Sequence, residues 1–167
     1  MSPYRPDLVE CWVFRVPPGA SPEYLLIRRA PDRIYPGLWQ CVTGSIDEGE
    51  EIPAAALREV AEETGFGPQA IEAFYDLEQV ETFYSEANDD LVTSIVFAVR
   101  VRAAAEPRLS HEHDGLRWAG RDEALRLSVW PAYHESLGRI ERDLADPETA
   151  RWFELDLDGR RLARPPR

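Results

Sequence analysis

Glu59, Glu62 and Glu63 are spaced so that a helix would gather their carboxylates on one flank, close behind a glycine turn. Residues three and four apart on a helix are neighbours, with roughly 5–6 Å between Cβ atoms, and like charges so placed repel. Such a cluster is either a solvated acidic face or the binding site of a multivalent cation. As a cation site it offers oxygen alone, which suits Mg²⁺ or Mn²⁺ rather than zinc. A cation of that kind polarises phosphoryl oxygens and lowers the pKa of an attacking water. The chain carries 19 Lys and Arg against 31 Asp and Glu, a net charge of −12. It can therefore hold a polyanionic substrate only where metal ions reverse the local potential. No Ser or Cys nucleophilic triad is visible in the sequence.

The flanking residues predict the helix. Pro53 suits a first turn, where its missing N–H would be unpaired anyway. Ala54 to Glu63 are nearly all good helix formers. Gly65 supplies a left-handed stop. Ala56, Leu57, Val60 and Ala61 form the apolar stripe that docks on a core.

In full the stretch reads Gly44-x5-Glu50-x7-Arg58-Glu59-Val60-x-Glu62-Glu63-x-Gly65-Phe66. That is the complete signature of the Nudix hydrolases, and the chain resembles this family. The resemblance implies an α/β fold, the Nudix α/β/α sandwich with a mixed β-sheet between helices. It implies hydrolysis of a diphosphate bond in a nucleoside diphosphate linked to another group. By the same resemblance Glu59 and Glu63 are the main metal ligands, and Glu62 is a further ligand or a water activator. The carbonyl of Gly44 is an additional ligand, and Glu50 pairs with Arg58 to hold the loop against the helix.

Outside the signature, Ser110-His111-Glu112-His113-Asp114-Gly115-Leu116-Arg117-Trp118 and Trp39-Gln40-Cys41-Val42-Thr43-Gly44-Ser45 resemble two Nudix subgroups. These are the dihydroneopterin triphosphate pyrophosphohydrolases and the bacterial proteins called dATP pyrophosphohydrolases. On that resemblance Glu112 is a metal ligand or the catalytic base; otherwise it belongs to a solvated loop. A separate metal site at His111 and His113 lacks a third ligand of matching spacing. The run after Trp130, Pro131-Ala132-Tyr133-His134, departs from those subgroups. Arg28 and Arg29 close a strand near the active face, and one of them is expected to clamp phosphate unless both pair with surface acids. Tyr35 and Trp39 can stack on a base or pterin ring, although core packing also suits Trp39. Glu81 and Phe83 end a strand that borders the site in the family and are candidate substrate contacts.

The leading expectation is an enzyme, a metal-dependent pyrophosphohydrolase acting on a nucleoside or pterin triphosphate and releasing pyrophosphate and a monophosphate. Hydrolysis of dinucleoside polyphosphates or NDP-linked compounds is the alternative. Tyr4-Arg5-Pro6 is similar to the start of the diadenosine-polyphosphate enzymes, but their Pro-x-Gly-Gly run is replaced by Val42-Thr43-Gly44-Ser45. Isopentenyl diphosphate isomerases share the fold and place a Cys before the motif glycine, where this chain has Thr43. A silent nucleotide-sensing module would typically have lost one of the glutamates.

The remaining elements must position these residues. Strands are expected at Leu8–Val16, Tyr24–Arg28, Trp39–Thr43, Ile71–Thr82, Leu91–Val101 and Leu116–Ala119. Helices are expected at Arg121–Leu127 and Pro131–Leu144. Residues 145–167 form an extension of the single domain spanning 1–167. In it Trp152–Leu157 alternates like a strand, Asp158-Gly159 signals a hairpin, and the end from Arg164 is expected to fray. No run of apolar residues is long enough for a membrane span, and the first residues lack a signal-peptide core. Cys11 and Cys41 lie in apolar runs and read as buried reduced thiols, consistent with a cytoplasmic protein. The acidity argues against a nucleic-acid or anionic-membrane binder. A homodimer is compatible with this reading.

Overall fold

The computed structural model describes residues 4–163. The expected fraying from Arg164 onward lies outside them. The elements run β1 (Leu8–Arg15), β2 (Glu23–Arg29), β3 (Trp39–Gln40), β4 (Val42–Ser45), α1 (Ile52–Thr64), β5 (Ile71–Ser85), β6 (Asp90–Val101), β7 (His113–Ala119), α2 (Arg121–Leu127), α3 (Pro131–Asp143), α4 (Pro147–Ala150) and β8 (Glu154–Leu155). β1 is parallel to β6, and the other pairings are antiparallel. The expected mixed sheet between helices is present.

β1 is buried on both faces, which is why its sequence is almost continuously apolar. Val9, Cys11 and Val13 point to the core under α1, with Ala55, Ala56, Val60 and Phe66. Trp12 and Phe14 point the other way, to the core under α2 and α3, with Ala124, Tyr133, Leu137 and Ile140. Each layer follows from the period of its own element, two for the strand and about 3.6 for the helices. Burial of a side chain such as Val60 or Leu137 stabilises the fold by about 1.5–3 kcal/mol.

The sheet is forked. A strand has two edges, yet β1 pairs with β6, β2 and β4. β2 takes the end of β1 through Phe14↔Tyr24 and Arg15↔Glu23. β4 takes its beginning through Leu8↔Ser45 to Cys11↔Val42. β2 diverges from β1 and is joined instead by β3, through Ile27↔Gln40 and Arg28↔Trp39. The segment expected as one short strand at Trp39–Thr43 thus crosses the fork as two, and β4 delivers Gly44 directly to the start of the α1 connection.

The tail departs from expectation in two respects. Asp146 caps a short helix not expected from the sequence, accepting from the N–H groups of Glu148 and Thr149, with Pro147 in the first turn. The strand expected at Trp152–Leu157 contracts to β8, paired with β5 through Phe74↔Leu155 and Tyr75↔Glu154. The Asp158-Gly159 turn does fold back, bridging Leu155 to Arg161, and Arg161 pairs with Asp76 at 2.7 Å. Gly159 has φ 79°, and a Cβ there would lie 2.5 Å from Cγ of Pro53. The tail therefore braces the first turn of α1. Gly159→Ala is expected to cost about 1–2 kcal/mol in urea denaturation, from a positive φ and a blocked contact; an unchanged midpoint would mean that the tail does not brace α1.

Candidate active site

The carboxylates meet at Gly44. A Cβ at this position would lie 1.9 Å from Cδ of Glu59 and 2.1 Å from its Oε1. Only glycine lets that carboxylate rest against the β4 backbone. Glu63, one turn further along α1, is 6% exposed. It accepts from the N–H of Thr43, and its Oε2 is buried with no hydrogen-bond partner. Arg58 sits at the open side of the group. It donates to Glu50 at 2.8 Å and to Glu59 at 2.6 Å, and lies 3.4 Å from Glu62. The expected Glu50–Arg58 pair is therefore present, reinforced by a second hydrogen bond of 2.9 Å. Glu62 remains largely exposed and touches the group through Arg58.

Glu112 comes from the loop before β7. The last carbonyls of a helix lack intrahelical partners, and this loop supplies donors to them. Arg108 N–H donates to Thr64 O at 2.8 Å and Ser110 N–H to Glu63 O at 3.3 Å. The carbonyl of Glu112 accepts from Ala30 N–H at 2.9 Å, and its carboxylate lies 3.6 Å from Arg33. Fixed in this way, Glu112 is close enough to repel both Glu59 and Glu63. Burial first, then repulsion from Glu59 and Glu112, push Glu63 up to about 8. Glu59 is also raised, by burial foremost.

The two arginines at the end of β2 have different fates. Leu25 and Ile27 face the α1 core, whereas Tyr24 and Leu26 face the other side. Arg28 donates to Asp114 at 2.7 Å and stands 5.6 Å from the centroid of the Trp39 ring. Arg29 lies past a register shift against β7, the kind of irregularity that re-aims a side chain. Its Nε donates to Ile34 O at 2.5 Å and its Nη1 to Gln40 Oε1 at 3.3 Å. From there its charge acts on Glu63 and on His113. The alternation of β2, which puts Arg29 in line with Leu25 and Ile27, was the sequence signal that distinguishes the two.

Gln40 and His113, not singled out as site residues from sequence, complete this corner. Both are buried, and Gln40 Nε2 approaches Thr43 Oγ1 at 3.2 Å and His113 Nε2 at 3.5 Å. Burial above all lowers His113 to about 4, so its ring is neutral. Trp39 is partly buried against the α3-side core. Tyr35 is exposed at φ 54° and meets Trp130 edge to face at 5.8 Å. Glu81 accepts from Gln79 at 2.8 Å. Phe83 lines a cleft of about 330 Å³ shared with Leu8, Ser45 and Val92.

The NUDIX domain model matches residues 11–140. The chain belongs to the Nudix family. The Nudix fold recurs in the crystal structure of a C. elegans Ap4A hydrolase binary complex, with TM-score 0.70, 22% identity, and coverage of 83% of this chain and 96% of that one. The chain is 34% identical over 123 residues to the octanoyltransferase of Myxococcus xanthus, spanning 72% of this chain but only 33% of that protein. It is 38% identical over 111 residues to the asymmetrical bis(5'-nucleosyl)-tetraphosphatase of Mus musculus, covering 64% of this chain and 69% of that one. A 39-residue stretch is 54% identical to the dihydroneopterin triphosphate diphosphatase of Escherichia coli K12, 23% of this chain and 24% of that protein.

In this Nudix site Arg58 holds Glu59 and Glu62. The donor set is all oxygen, one buried oxygen is unpaired, and the carboxylates repel one another; a divalent cation fits each of these features. Glu63 has a folded-state pKa near 8 against an ordinary 4.5. Its contribution to stability is therefore present below about pH 4.5 and is lost as pH rises through about 8. Without metal, Glu63→Gln is expected to melt above the parent protein, by a margin that widens from pH 5 to pH 8. Added Mg²⁺ should stabilise the parent more than the variant. Melting curves in EDTA and in Mg²⁺ test this, and a margin independent of pH would contradict it.

Proposed function

We propose that the protein is a Mg²⁺- or Mn²⁺-dependent pyrophosphohydrolase that cleaves a phosphoric anhydride bond in a nucleoside or pterin triphosphate. The observation that carries this reading is the buried, unpaired Glu63 oxygen beside the Gly44–Glu59 contact. Glu59, Glu63 and the Gly44 carbonyl would hold the metal, with Glu62 and Glu112 completing the set. Bound there, the metal would polarise the phosphoryl oxygens and acidify the attacking water. Glu112 is the preferred base, because it faces Glu59 and Glu63 from a separate element and keeps its carboxylate half-exposed, where an oxygen can accept a proton from water. Glu62 points to solvent and is better placed as an outer ligand. Arg29 is the phosphate clamp, held by Ile34 and Gln40 with its charge beside Glu63; Arg28 is engaged by Asp114. Tyr35 and Trp39 are the candidate ring-stacking residues.

Hydrolysis of dinucleoside polyphosphates is the second reading. It is favoured by the similarity to the mouse tetraphosphatase, which covers more of the chain than the similarity to the dihydroneopterin triphosphate enzyme. Among the described residues no helix is long and apolar enough to cross a membrane. The buried free thiols of Cys11 and Cys41 support a cytoplasmic location.

A panel of dGTP, dATP, dihydroneopterin triphosphate, diadenosine tetraphosphate and ADP-ribose, assayed with Mg²⁺, is expected to give the highest kcat/KM on a triphosphate. A preference for diadenosine tetraphosphate would select the second reading. Glu112→Gln is expected to lower kcat by about 10²–10⁴-fold, the usual range for a lost general base. A loss below tenfold would return Glu112 to a solvated loop. Arg29→Ala is expected to cost about 10–100-fold in kcat/KM, the value of a charge-assisted hydrogen bond, against less than threefold for Arg28→Ala; equal losses would remove the distinction between them.

A further inference from the structure

Gln40 is a buried amide, 3% exposed, at the point where the chain crosses from β3 to β4. An amide in such a place is costly unless its groups are paired. An apolar side chain of similar volume would fill the space without that cost, so what the amide reaches is informative. Its Oε1 accepts from Arg29 Nη1 at 3.3 Å. Its Nε2 donates to Thr43 Oγ1 at 3.2 Å and meets His113 Nε2 at 3.5 Å. These contacts span the fork of the sheet. Arg29 belongs to the diverging β2, whereas Thr43 belongs to β4, which stays paired with β1.

Arg29 fixes which way the amide lies. A guanidinium has donors only, so the oxygen of Gln40 faces it and the NH₂ group faces Thr43 and His113. Both of those partners then accept. For His113 this requires a lone pair on Nε2 and the ring proton on Nδ1. Nδ1 is buried and has no hydrogen-bond partner, so the contact that sets the tautomer is the one with Gln40. Thr43 is engaged twice. Its hydroxyl accepts from Gln40, and its backbone N–H donates to Glu63. A continuous line of hydrogen bonds therefore runs from Arg29 through Gln40 and Thr43 to Glu63.

We propose that Gln40 is a positioning residue for the phosphate clamp: it ties β2 to β4 across the fork and so fixes the guanidinium of Arg29 relative to Glu63, with Thr43 and His113 holding its amide in the required orientation. Arg29 Nε is held by Ile34 O and its Nη1 by Gln40 Oε1. The plane of the guanidinium is thus set by two contacts on different segments, and loss of one lets it pivot on the other. Electrostatic stabilisation of a phosphoryl transition state depends on where the charge stands, and a small misplacement costs rate. A glutamate could not do the same work. It would accept from Arg29 but offer no donor to Thr43 or to a neutral His113, and its charge would neutralise the clamp. The inference rests on the reading of Arg29 as the phosphate clamp of a hydrolase.

Two measurements test it. In the metal-free protein, ¹⁵N NMR of the ring should show His113 protonated on Nδ1 and bare on Nε2. A proton on Nε2 would reverse the amide and overturn the proposal. The second is a double-mutant cycle on kcat/KM with Mg²⁺, run on dATP and on diadenosine tetraphosphate. Gln40→Met should lower kcat/KM about tenfold, the weight of a hydrogen bond to a charged group, and Gln40→Glu at least as much. In an Arg29→Ala background Gln40→Met should cost less than about twofold, because no guanidinium is left to place. Losses that simply multiply would make Gln40 a structural residue and overturn the proposal. Thr43→Val, which keeps the shape and removes the hydroxyl, should show a smaller loss that also vanishes without Arg29, and it carries the cycle if Gln40→Met fails to fold. A parent-like Gln40→Met beside an impaired Arg29→Ala would remove this inference alone, whereas a parent-like Arg29→Ala would remove the clamp and the inference with it. Absence of turnover on both substrates would count against the hydrolase reading, and the same cycle on calorimetric binding of pyrophosphate with Mg²⁺ would still decide what places Arg29.

Discussion

Repulsion among carboxylates held in fixed positions is the constraint around which this molecule is organised. Glu59 and Glu63 are pinned against the backbone of β4 and are faced by Glu112 from a loop. Solvated glutamates would swing apart. Here the absence of a Cβ at Gly44, the N–H of Thr43 and the burial of Glu63 keep them together. Arg58 neutralises part of the charge from the open side, while Glu63 is left with an orphan oxygen. The result is an electrostatically frustrated site that a divalent cation would relax.

The forked sheet makes that geometry possible. Because β4 and β2 share one edge of β1, the chain between them crosses an opening in the sheet and does not cover it. Gly44 emerges at this opening from below, α1 brings its carboxylates from one face, and the loop before β7 reaches in by satisfying the exposed carbonyls at the end of α1. Arg29 enters from the diverging strand. Four elements far apart in sequence thus contribute to one cluster, each held by backbone pairing more than by its own side chain.

Much of this was legible in the sequence, for definite reasons. α1 carries a proline at its start, strong helix formers throughout and a glycine at its end, and its observed span of Ile52–Thr64 lies close to the expected one. β1 is an apolar run and β6 is rich in β-branched residues, so both read as strands. The tail was harder. Its alternation from Trp152 resembled a strand, but a hydrogen-bonded cap at Asp146 and pairing with only part of β5 left two residues of strand. Alternation records a preference for a pleated surface and cannot tell how much sheet edge is available. The sequence left Arg28 and Arg29 undistinguished for a related reason. Both are arginines at a strand end, and only the parity of β2 and the irregularity beside β7 separate them.

The amino-acid order alone determined the candidate cluster: three glutamates at helical spacing behind a glycine, in a chain of net charge −12. Spacing along one helix is a local property, so it survives in a linear reading. What the tertiary structure decided is everything that depends on two strands or a strand and a loop meeting. It placed Glu112 opposite the helix, turned Arg29 rather than Arg28 toward Glu63, and set Gln40 between Arg29 and Thr43. Those outcomes follow from register, parity and the hydrogen bonds of a helix terminus, which join residues that the sequence keeps far apart.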